Sequence, residues 1–424
     1  MIHLFIRLVS MTSEPDIVII GAGAAGIGAA RRLAGSGLSV MIIEALARTG
    51  GRAWTHPTPL GPLDLGCGWL HTAEHNPWVG IADQANFPVE RRASAWGRQF
   101  RNLGFSPAEQ QAAGEAFEAW NRQLAEHPPH SDRASDALDL QSPWTAYIQA
   151  ISGFINGDET ERISAQDYSA YDEASSDNNW RLPQGYGALI TSSLPAETEL
   201  HLDTPLVAVD LNDTRVSLET TVGHLRPHAV IFTASTNVLA SDTIRWPSEL
   251  DAWRDAAKRL PLGHNEKLFI EITGSNTFEP ETHVLGDPKD AATGSYYIRP
   301  FGYHVIECYL GGAGARAAAA EGTDAAFAHA IDQLVALFGS SVRGCLRPLI
   351  ASDWAHSATI RGAYSHALPG EAEARSNLAR PYDDRIFFAG EATHRSYFST
   401  AHGAYLSGIR AADEAVAVLG RKKR

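Results

Sequence analysis

Three glycines stand at a spacing that can bind phosphate groups: Gly21, Gly23 and Gly26. The apolar run before them, Ile17 to Ile20, is short and β-branched, which is typical of a buried parallel strand. In such a loop the first glycine permits a tight turn, the second lets the backbone approach a pyrophosphate, and the third allows close helix–strand packing. The N–H groups of Ala24 and Ala25, at the start of the following helix, would face the phosphates. The segment therefore predicts a dinucleotide site.

An acidic residue completes this pattern. A second apolar strand, Val40 to Ile43, leads into Glu44, and Ala45 follows it. The Glu44 carboxylate would accept hydrogen bonds from the hydroxyl groups of an adenosine ribose. Glycines at this spacing can also mark ordinary turns, but the complete order of strand, loop, helix, strand and acid favours a nucleotide.

Length and charge limit the kinds of protein that could carry this site. At 424 residues the chain predicts two or three domains with a large core. The net charge of −14 argues against nucleic acid as a partner, because nucleic-acid binding requires a basic patch. An acidic surface is compatible with cationic ligands, although most acidic proteins are simply soluble.

The cysteines and the lengths of the apolar runs further limit the kinds of protein that this chain could be. The chain has three cysteines, far apart and in no metal-ligand spacing: Cys67, Cys308 and Cys345. We therefore expect no disulfide framework and no metal, and a reducing, cytoplasmic location. No apolar run is long enough to span a membrane, so no membrane partner is expected. Residues 1–10 are apolar but short and contain Arg7, and we interpret them as a disordered or mis-annotated leader rather than a signal peptide.

Apolar periodicity predicts the elements around the nucleotide site. Residues 80–185 read as a helical insertion, in which Phe117, Trp120 and Leu124 share one face of a helix as core residues. Farther along, Leu268 to Ile272 alternates with the period of a β-strand.

The segment from Asp64 to His71, DLGCGWLH, brings in a specific family. It resembles a stretch of the FAD-dependent amine oxidase superfamily, and most closely the polyamine oxidases of the spermine and N1-acetylpolyamine type. The resemblance implies that Gly68 and Trp69 adjoin the cofactor and that His71 lies in the substrate channel near the flavin. The alternative for His71 is a structural histidine. The loop that ends in Arg52 is similar to the GGR loop of these enzymes, which implies that Arg52 faces pyrophosphate or flavin rather than solvent.

Three later positions match the same family. Val207 lies in a segment similar to a family strand whose backbone contacts adenine. Lys267 matches a lysine that holds a water molecule against flavin N5, and a buried lysine is costly unless it has a partner. Trp354 begins a motif similar to the family's W…GSYS…PG, which implies a place beside the cofactor.

The substrate side of the site is implied by two positions. Tyr364 matches one wall of the aromatic cage of monoamine oxidases, and Thr400 stands at the second wall. Because Thr400 is not aromatic, the resemblance implies a roomier site. Monoamine oxidases carry a flavin-linking cysteine just before the tyrosine, but this chain has Ala363, so we expect FAD to be bound non-covalently.

The most specific motif runs from Ala389 to Gly408, AGEATHR…STAHGAYLSG, and is similar to polyamine oxidases nearly residue for residue. A strand would end at Gly390, Glu391 would turn to the cofactor, and a helix would begin near Ala401. The positive end of that helix would stabilise the anionic reduced flavin.

The predicted fold class is α/β: a Rossmann-like FAD-binding domain with an inserted α+β substrate domain. We assign residues 11–78, 196–250 and 371–424 to the first domain, and residues 79–195 and 251–370 to the second. The resemblance extends over nearly the whole chain and is weakest between residues 80 and 185.

The reaction implied by the resemblance is oxidation of an amine C–N bond. Hydride would pass from the α-carbon to flavin N5, the imine would hydrolyse, and O2 would reoxidise FAD to give hydrogen peroxide. Lys267 would position a water molecule, Tyr364 would pack against the amine and His71 would bind it. The distal ammonium groups of a polyamine would pair with carboxylates. One acidic cluster is a candidate for this role: Asp172, Glu173 and Asp177.

Alternative functions share parts of these motifs. A monoamine oxidase is one alternative. An L-amino-acid oxidase would need an arginine for the substrate carboxylate, and Arg361 is the candidate. A carotenoid or porphyrinogen desaturase shares the nucleotide motif, but this chain shows no apolar membrane-entry helix. A non-catalytic flavoprotein would tolerate loss of Lys267, which this chain retains.

Overall fold

The computed structural model describes residues 11–275 and 277–422, so the predicted leader lies outside the described residues. The strands are β1 (Met11–Ser13), β2 (Ile17–Ile20), β3 (Val40–Ile43), β4 (Thr55–Thr58), β5 (Gly61–Asp64), β6 (Glu199–His201), β7 (Leu206–Asp210), β8 (Ser217–Thr220), β9 (Gly223–Leu225), β10 (Ala229–Phe232), β11 (Asn265–Ile272), β12 (Thr282–Leu285), β13 (Ser295–Ile298), β14 (Val305–Gly311), β15 (Leu346–Ala351) and β16 (Ile386–Phe388). The α-helices are α1 (Ala24–Leu33), α2 (Pro77–Gln84), α3 (Pro107–Glu126), α4 (Thr145–Asn156), α5 (Ala165–Ala174), α6 (Tyr186–Ser192), α7 (Thr236–Ala240), α8 (Asp251–Lys258), α9 (Gly312–Glu321), α10 (Thr323–Phe338), α11 (Ala374–Ala379) and α12 (Ala401–Lys422).

A parallel sheet in the order β16-β10-β2-β3-β6 forms the nucleotide-binding half. Strand β2 is buried on both faces, as its continuous apolar run predicts. Helices α1 and α12 cover one face of the sheet with alanines. They cross closely, because a Cβ on Gly408 would lie 2.0 Å from the carbonyl oxygen of Ala25. A second sheet, β1-β9-β8-β7, adjoins this half through a shared apolar core.

The other half is built on an antiparallel sheet in the order β12-β13-β14-β11-β15. One face packs against α10 through a large apolar cluster that includes Leu268 and Leu310. The opposite face carries Lys267 and Glu307, and Phe269 on this face packs against the β4–β5 hairpin. The strand predicted at Leu268 to Ile272 is present as part of β11, and most of its side chains are buried because other elements cover both faces.

The five strands of the parallel sheet fall within residues 11–78, 196–250 and 371–424, and the antiparallel sheet falls within residues 251–370. Helix α6, which the sequence places in the substrate segment, packs against α1. The domain boundaries themselves stay a prediction. Within residues 11–275 and 277–422, no helix combines the length and apolarity of a membrane span. Over the same ranges, no group of three or more His, Cys, Asp or Glu side chains could hold a metal.

We expect three buried histidines to make the protein less stable in mild acid. Burial lowers the pKa of His283 to about 4, that of His366 to about 4 and that of His402 to about 3. Between pH 6.5 and 4 the unfolded chain therefore binds protons that the folded chain does not. The free energy of unfolding should therefore decrease as the pH is lowered, by at most about 1.4 kcal/mol per pH unit for each histidine.

Denaturant unfolding at pH 7, 6 and 5 measures this effect. His283→Gln should flatten the dependence, whereas His127→Gln, at an exposed position, should leave it unchanged. Equal slopes for the two variants would contradict the assignment.

Candidate active site

A cavity that is partly open to solvent lies at the carboxyl ends of β2 and β3. Twelve residues predicted from the sequence line it: Gly21, Gly23, Ala24, Ala25, Glu44, Ala45, Arg52, Tyr364, Gly390, Glu391, Thr400 and Ala401. Ligands of open α/β sheets bind at this edge of the sheet, so the fold brings the motifs together where a dinucleotide is expected.

The glycine loop has the geometry that a pyrophosphate requires. Gly21 adopts a positive φ of 102°, and a Cβ on Gly26 would lie 1.9 Å from the carbonyl oxygen of Gly21. Gly26 therefore serves helix–strand packing and does not itself line the cavity. Gly23 is the N-cap of α1 and provides no side-chain hydrogen bond to the first turn. The first N–H groups of α1 thus remain available to an anion.

Glu44 is held rigidly at the end of β3. Its carboxylate accepts hydrogen bonds from the N–H of Ala22 at 2.7 Å and the N–H of Leu46 at 2.9 Å. Burial raises its pKa despite these bonds and the nearby Arg48. A carboxylate has further lone pairs beyond the two already used, so it can still accept from ribose hydroxyls.

Arg52 and Glu391 join two walls of the cavity. Nη1 of Arg52 lies 2.9 Å from Oε1 of Glu391 and donates to the carbonyl of Ala363 at 2.6 Å. Glu391 also accepts from the Ser365 hydroxyl at 2.7 Å and the N–H of Ser399 at 2.9 Å. Burial by itself would raise the pKa of Glu391, but Arg52 and these donors hold it below its usual value. Glu391 therefore organises the loops around the cavity as an ionised carboxylate.

The predicted catalytic lysine lies just behind the cavity wall. Nζ of Lys267 forms an ion pair with Oε1 of Glu307 at 2.7 Å and donates to the carbonyl oxygen of Asp64 at 3.1 Å. A Cβ on Gly68 would lie 3.1 Å from Nζ, and the neighbouring Cys67 lines the cavity. Lys267 thus has the partner that a buried ammonium requires.

Tyr364 is fixed by a chain of hydroxyl groups. Its hydroxyl donates to the carbonyl of Phe154 at 2.5 Å and lies 2.6 Å from the hydroxyl of Tyr309, which donates to it. Burial and the neighbouring Tyr309 raise the pKa of Tyr364 well above its usual value. The phenol therefore stays protonated and its ring forms a fixed wall of the cavity.

Thr400 and Ala401 bring the start of α12 to the cavity. The Thr400 hydroxyl donates to the carbonyl of Tyr397 at 2.6 Å and accepts from the N–H of Gly403 at 3.0 Å. Thr400 therefore caps the helix, and the cavity side of this position stays small.

Two predicted residues have contacts that are mainly structural. Trp354 lies in an apolar cluster and donates from Nε1 to the carbonyl of Leu65 at 3.1 Å. Val207 falls where the β7–β8 register shifts, and its carbonyl accepts from the N–H of Arg245 at 2.9 Å. Neither residue lines the cavity, although Thr204 and Leu206 beside Val207 do. Their cofactor contacts stay predictions.

Trp69 and His71 lie on another aromatic cluster. The Trp69 ring lies 4.1 Å from that of Trp96 and 4.7 Å from the guanidinium of Arg181, measured between centres. His71 stacks on Trp96 at 6.0 Å, and its Nδ1 lies 2.7 Å from Oδ1 of Asn179. Burial lowers the pKa of His71, so the ring is neutral at pH 7. Neither residue lines the cavity, and their roles stay predictions.

Sequence reasoning missed several residues that the fold brings to the site. Glu307, Tyr309 and Phe154 contact the predicted residues, and Thr233 and Ser399 line the cavity. Glu307 and Tyr309 alternate along one strand, but their link to Lys267 and Tyr364 depends on strand register. The acidic residues proposed for distal ammonium groups, and the proposed carboxylate anchor Arg361, are exposed: Asp172, Glu173, Asp177 and Arg361.

The residues present fit FAD. The uncapped start of α1, the fixed acid Glu44 and the start of α12 surround a single cavity, which matches a pyrophosphate, a ribose and a flavin edge in turn.

Comparison with known families agrees with this assignment. The family model described as flavin containing amine oxidoreductase matches residues 89–416, and a model of the NAD(P)-binding Rossmann-like domain matches residues 19–85. Polyamine oxidase 2 of Arabidopsis thaliana is 24% identical over 449 residues, which cover 95% of this chain and 88% of that protein. Polyamine oxidase 3 of Oryza sativa subsp. japonica is 25% identical over 447 residues, which cover 94% of this chain and 89% of that protein.

A solved structure shows the same fold. Wild-type putrescine oxidase bound to putrescine has a TM-score of 0.74 at 17% identity, and the match covers 96% of this chain and 100% of that chain. The family match includes most of the chain, and the cavity holds the cofactor-binding motifs. The chain belongs to the flavin containing amine oxidoreductases and is an FAD-dependent amine oxidase.

Proposed function

We propose that this enzyme oxidises a secondary amine of the polyamine class, such as spermine, spermidine or an acetylated form. The observation that carries the proposal is the shape of the cavity around Tyr364 and Thr400, which has one aromatic wall and one small, helix-capping residue. Such a site leaves room for a long alkyl amine. The similarity to plant polyamine oxidases supports the same substrate class.

The bound FAD would accept a hydride from the carbon next to the nitrogen and pass the electrons to O2, giving hydrogen peroxide. The protein's part is to orient the amine and exclude competing reactions. Tyr364, fixed through Tyr309 and Phe154, would pack against the amine, while Lys267 would hold a water molecule near the reacting edge. His71, neutral and partly buried, would accept a hydrogen bond from the substrate.

The amine must enter with a free lone pair. Free alkylammonium groups titrate near pH ~10, like lysine, so at pH 7 only a minor fraction is neutral. We expect kcat/KM to rise from about pH 7 to about pH 9 as that fraction grows. Steady-state assays of peroxide formation across this range measure the effect. A profile that falls over the same interval would contradict it.

A substrate panel tests the proposed class. We expect kcat/KM for spermine, spermidine or an acetylated derivative to exceed that for benzylamine or any L-amino acid by at least about 10-fold, since a small amine loses contacts worth more than 1.4 kcal/mol. The reverse ranking would assign the enzyme to monoamines or amino acids. The exposed position of Arg361 argues against the amino-acid alternative.

Non-covalent binding of FAD is a separate expectation. Ala363 offers no nucleophile, and burial, reinforced by Asp64, raises the pKa of the cavity-lining Cys67 to about 12, so its thiol stays protonated. Acid precipitation should release all yellow colour into the supernatant from the native enzyme and from Cys67→Ser alike. Flavin retained in the pellet of the native enzyme would contradict the expectation. If Cys67→Ser then released that flavin into the supernatant, Cys67 would be the residue that binds it covalently.

We also propose a cytoplasmic enzyme that acts on a small amine and O2, without nucleic-acid or membrane partners. The three free cysteines and the net charge of −14 support this proposal. Cell fractionation followed by immunoblotting tests it.

A further inference from the structure

Glu307 lies outside every motif of the sequence, yet it contacts the proposed catalytic lysine. Its Oε1 lies 2.7 Å from Nζ of Lys267, and the two side chains are only 16% and 9% exposed. The carbonyl oxygen of Asp64 accepts from the same Nζ at 3.1 Å. An ammonium group has three N–H donors, so these two contacts leave one for a water molecule or ligand.

The two acceptors come from different halves of the molecule. Glu307 is on β14, whereas Asp64 ends β5 in the nucleotide-binding half. The Asp64 carboxylate is itself fixed at the start of α6, where it accepts from the N–H of Tyr186 at 2.9 Å and that of Gly187 at 3.2 Å. Lys267 is therefore held from two sides by groups that have little freedom of their own.

Strand register explains why Glu307 reaches the lysine. On the antiparallel pair β11–β14, Lys267 lies opposite Tyr309 and Phe269 lies opposite Glu307. Glu307 is thus the diagonal neighbour of Lys267 on the same face of the sheet, a separation that long side chains bridge. Tyr309, the residue directly opposite Lys267, hydrogen-bonds to Tyr364. Strand β14 therefore supports both proposed catalytic side chains, Lys267 and Tyr364.

We propose that Glu307 is a positioning residue for Lys267, which fixes the ammonium group so that its remaining N–H faces the flavin side of the cavity. The inference rests on the role of Lys267 in the proposed function. A buried cation without its counter-ion is strongly unfavourable, so loss of the carboxylate should move the ammonium toward solvent. A displacement of about 1 Å is enough to cost a large factor in rate.

The test compares Glu307→Gln with Glu307→Asp and with the control Glu271→Gln on the same strand β11 as Lys267. In the FAD-bound enzyme, Glu307→Gln should slow by about 10- to 100-fold the same half-reaction that Lys267→Met slows, with KM changed less than about 3-fold. Glu307→Asp should recover part of the rate. The double variant Lys267→Met/Glu307→Gln should be no slower than Lys267→Met alone.

A crystal structure of FAD-bound Glu307→Gln gives a readout besides activity. We expect Nζ of Lys267 to lie more than about 1 Å from its present place, and to be undisturbed in Glu271→Gln. An unmoved lysine, rates equal to those of Glu271→Gln, or multiplicative effects in the double variant would each overturn the proposal. The kinetics use whichever amine proves the best substrate, so failure of the polyamine ranking leaves this test intact.

Discussion

Replacing Lys267 by methionine should slow one half-reaction of the flavin by about 100- to 1,000-fold while FAD stays bound, the scale for loss of one preorganised polar contact. Methionine matches the length of the lysine stem but has no N–H donor and no charge. The ion pair with Glu307 and the bond to Asp64 would both be lost, and with them any water molecule held by the third donor. Lys267 does not line the cavity, so cofactor binding should change little.

Stopped-flow measurements of anaerobic reduction by amine and of reoxidation by O2 separate the two half-reactions. Lys258→Met is the matched control, because Lys258 is exposed and pairs with the exposed Asp255. Traces for Lys267→Met that match the control in both half-reactions would remove the role assigned to this lysine.

Replacing Asp167 by alanine should lower the free energy of unfolding by about 3–5 kcal/mol, the cost of leaving a buried charge without its partner. Asp167 and Arg375 are 3% and 1% exposed, and the contact is bidentate at 2.6 and 2.8 Å. The guanidinium also donates to the Ser365 hydroxyl at 2.9 Å, and Ser365 holds Glu391 at the cavity. We therefore expect the affinity for FAD to fall together with stability.

Denaturant unfolding of the FAD-bound enzyme measures the first effect, and titration of the apoprotein with FAD measures the second. Asp255→Ala breaks an exposed, solvent-screened ion pair and should leave the free energy of unfolding almost unchanged. The double variant Asp167→Leu/Arg375→Met should recover much of the loss, since apolar residues of similar volume can replace a buried pair. An Asp167→Ala variant as stable as Asp255→Ala would contradict the prediction.

Local patterns in the sequence determined the cofactor half of the site. The strands Ile17–Ile20 and Val40–Ile43 have the bounds predicted from their apolar runs, and helix α1 begins at Ala24, directly after the glycine loop, as predicted. The helix at Ala401 also begins where predicted. These elements can be predicted from the sequence because dinucleotide binding requires a glycine turn, a helix N-terminus and an acidic residue close together in the chain. The family was identified from other motifs, chiefly the segment from Asp64 to His71 and that from Ala389 to Gly408, and the family model confirms it.

Only the tertiary structure decided which distant side chains support the predicted ones. Lys267 and Tyr364 were identified by their motifs, but their partners Glu307 and Tyr309 lie on β14 and carry no motif of their own. The pairing of β11 with β14 sets these contacts, and a shift of one residue in register would turn Glu307 to the apolar α10 side. Likewise, the bidentate partner of Arg375 lies on α5, far away in the chain. Sequence motifs record what a ligand requires, whereas register and packing determine which buried charges meet.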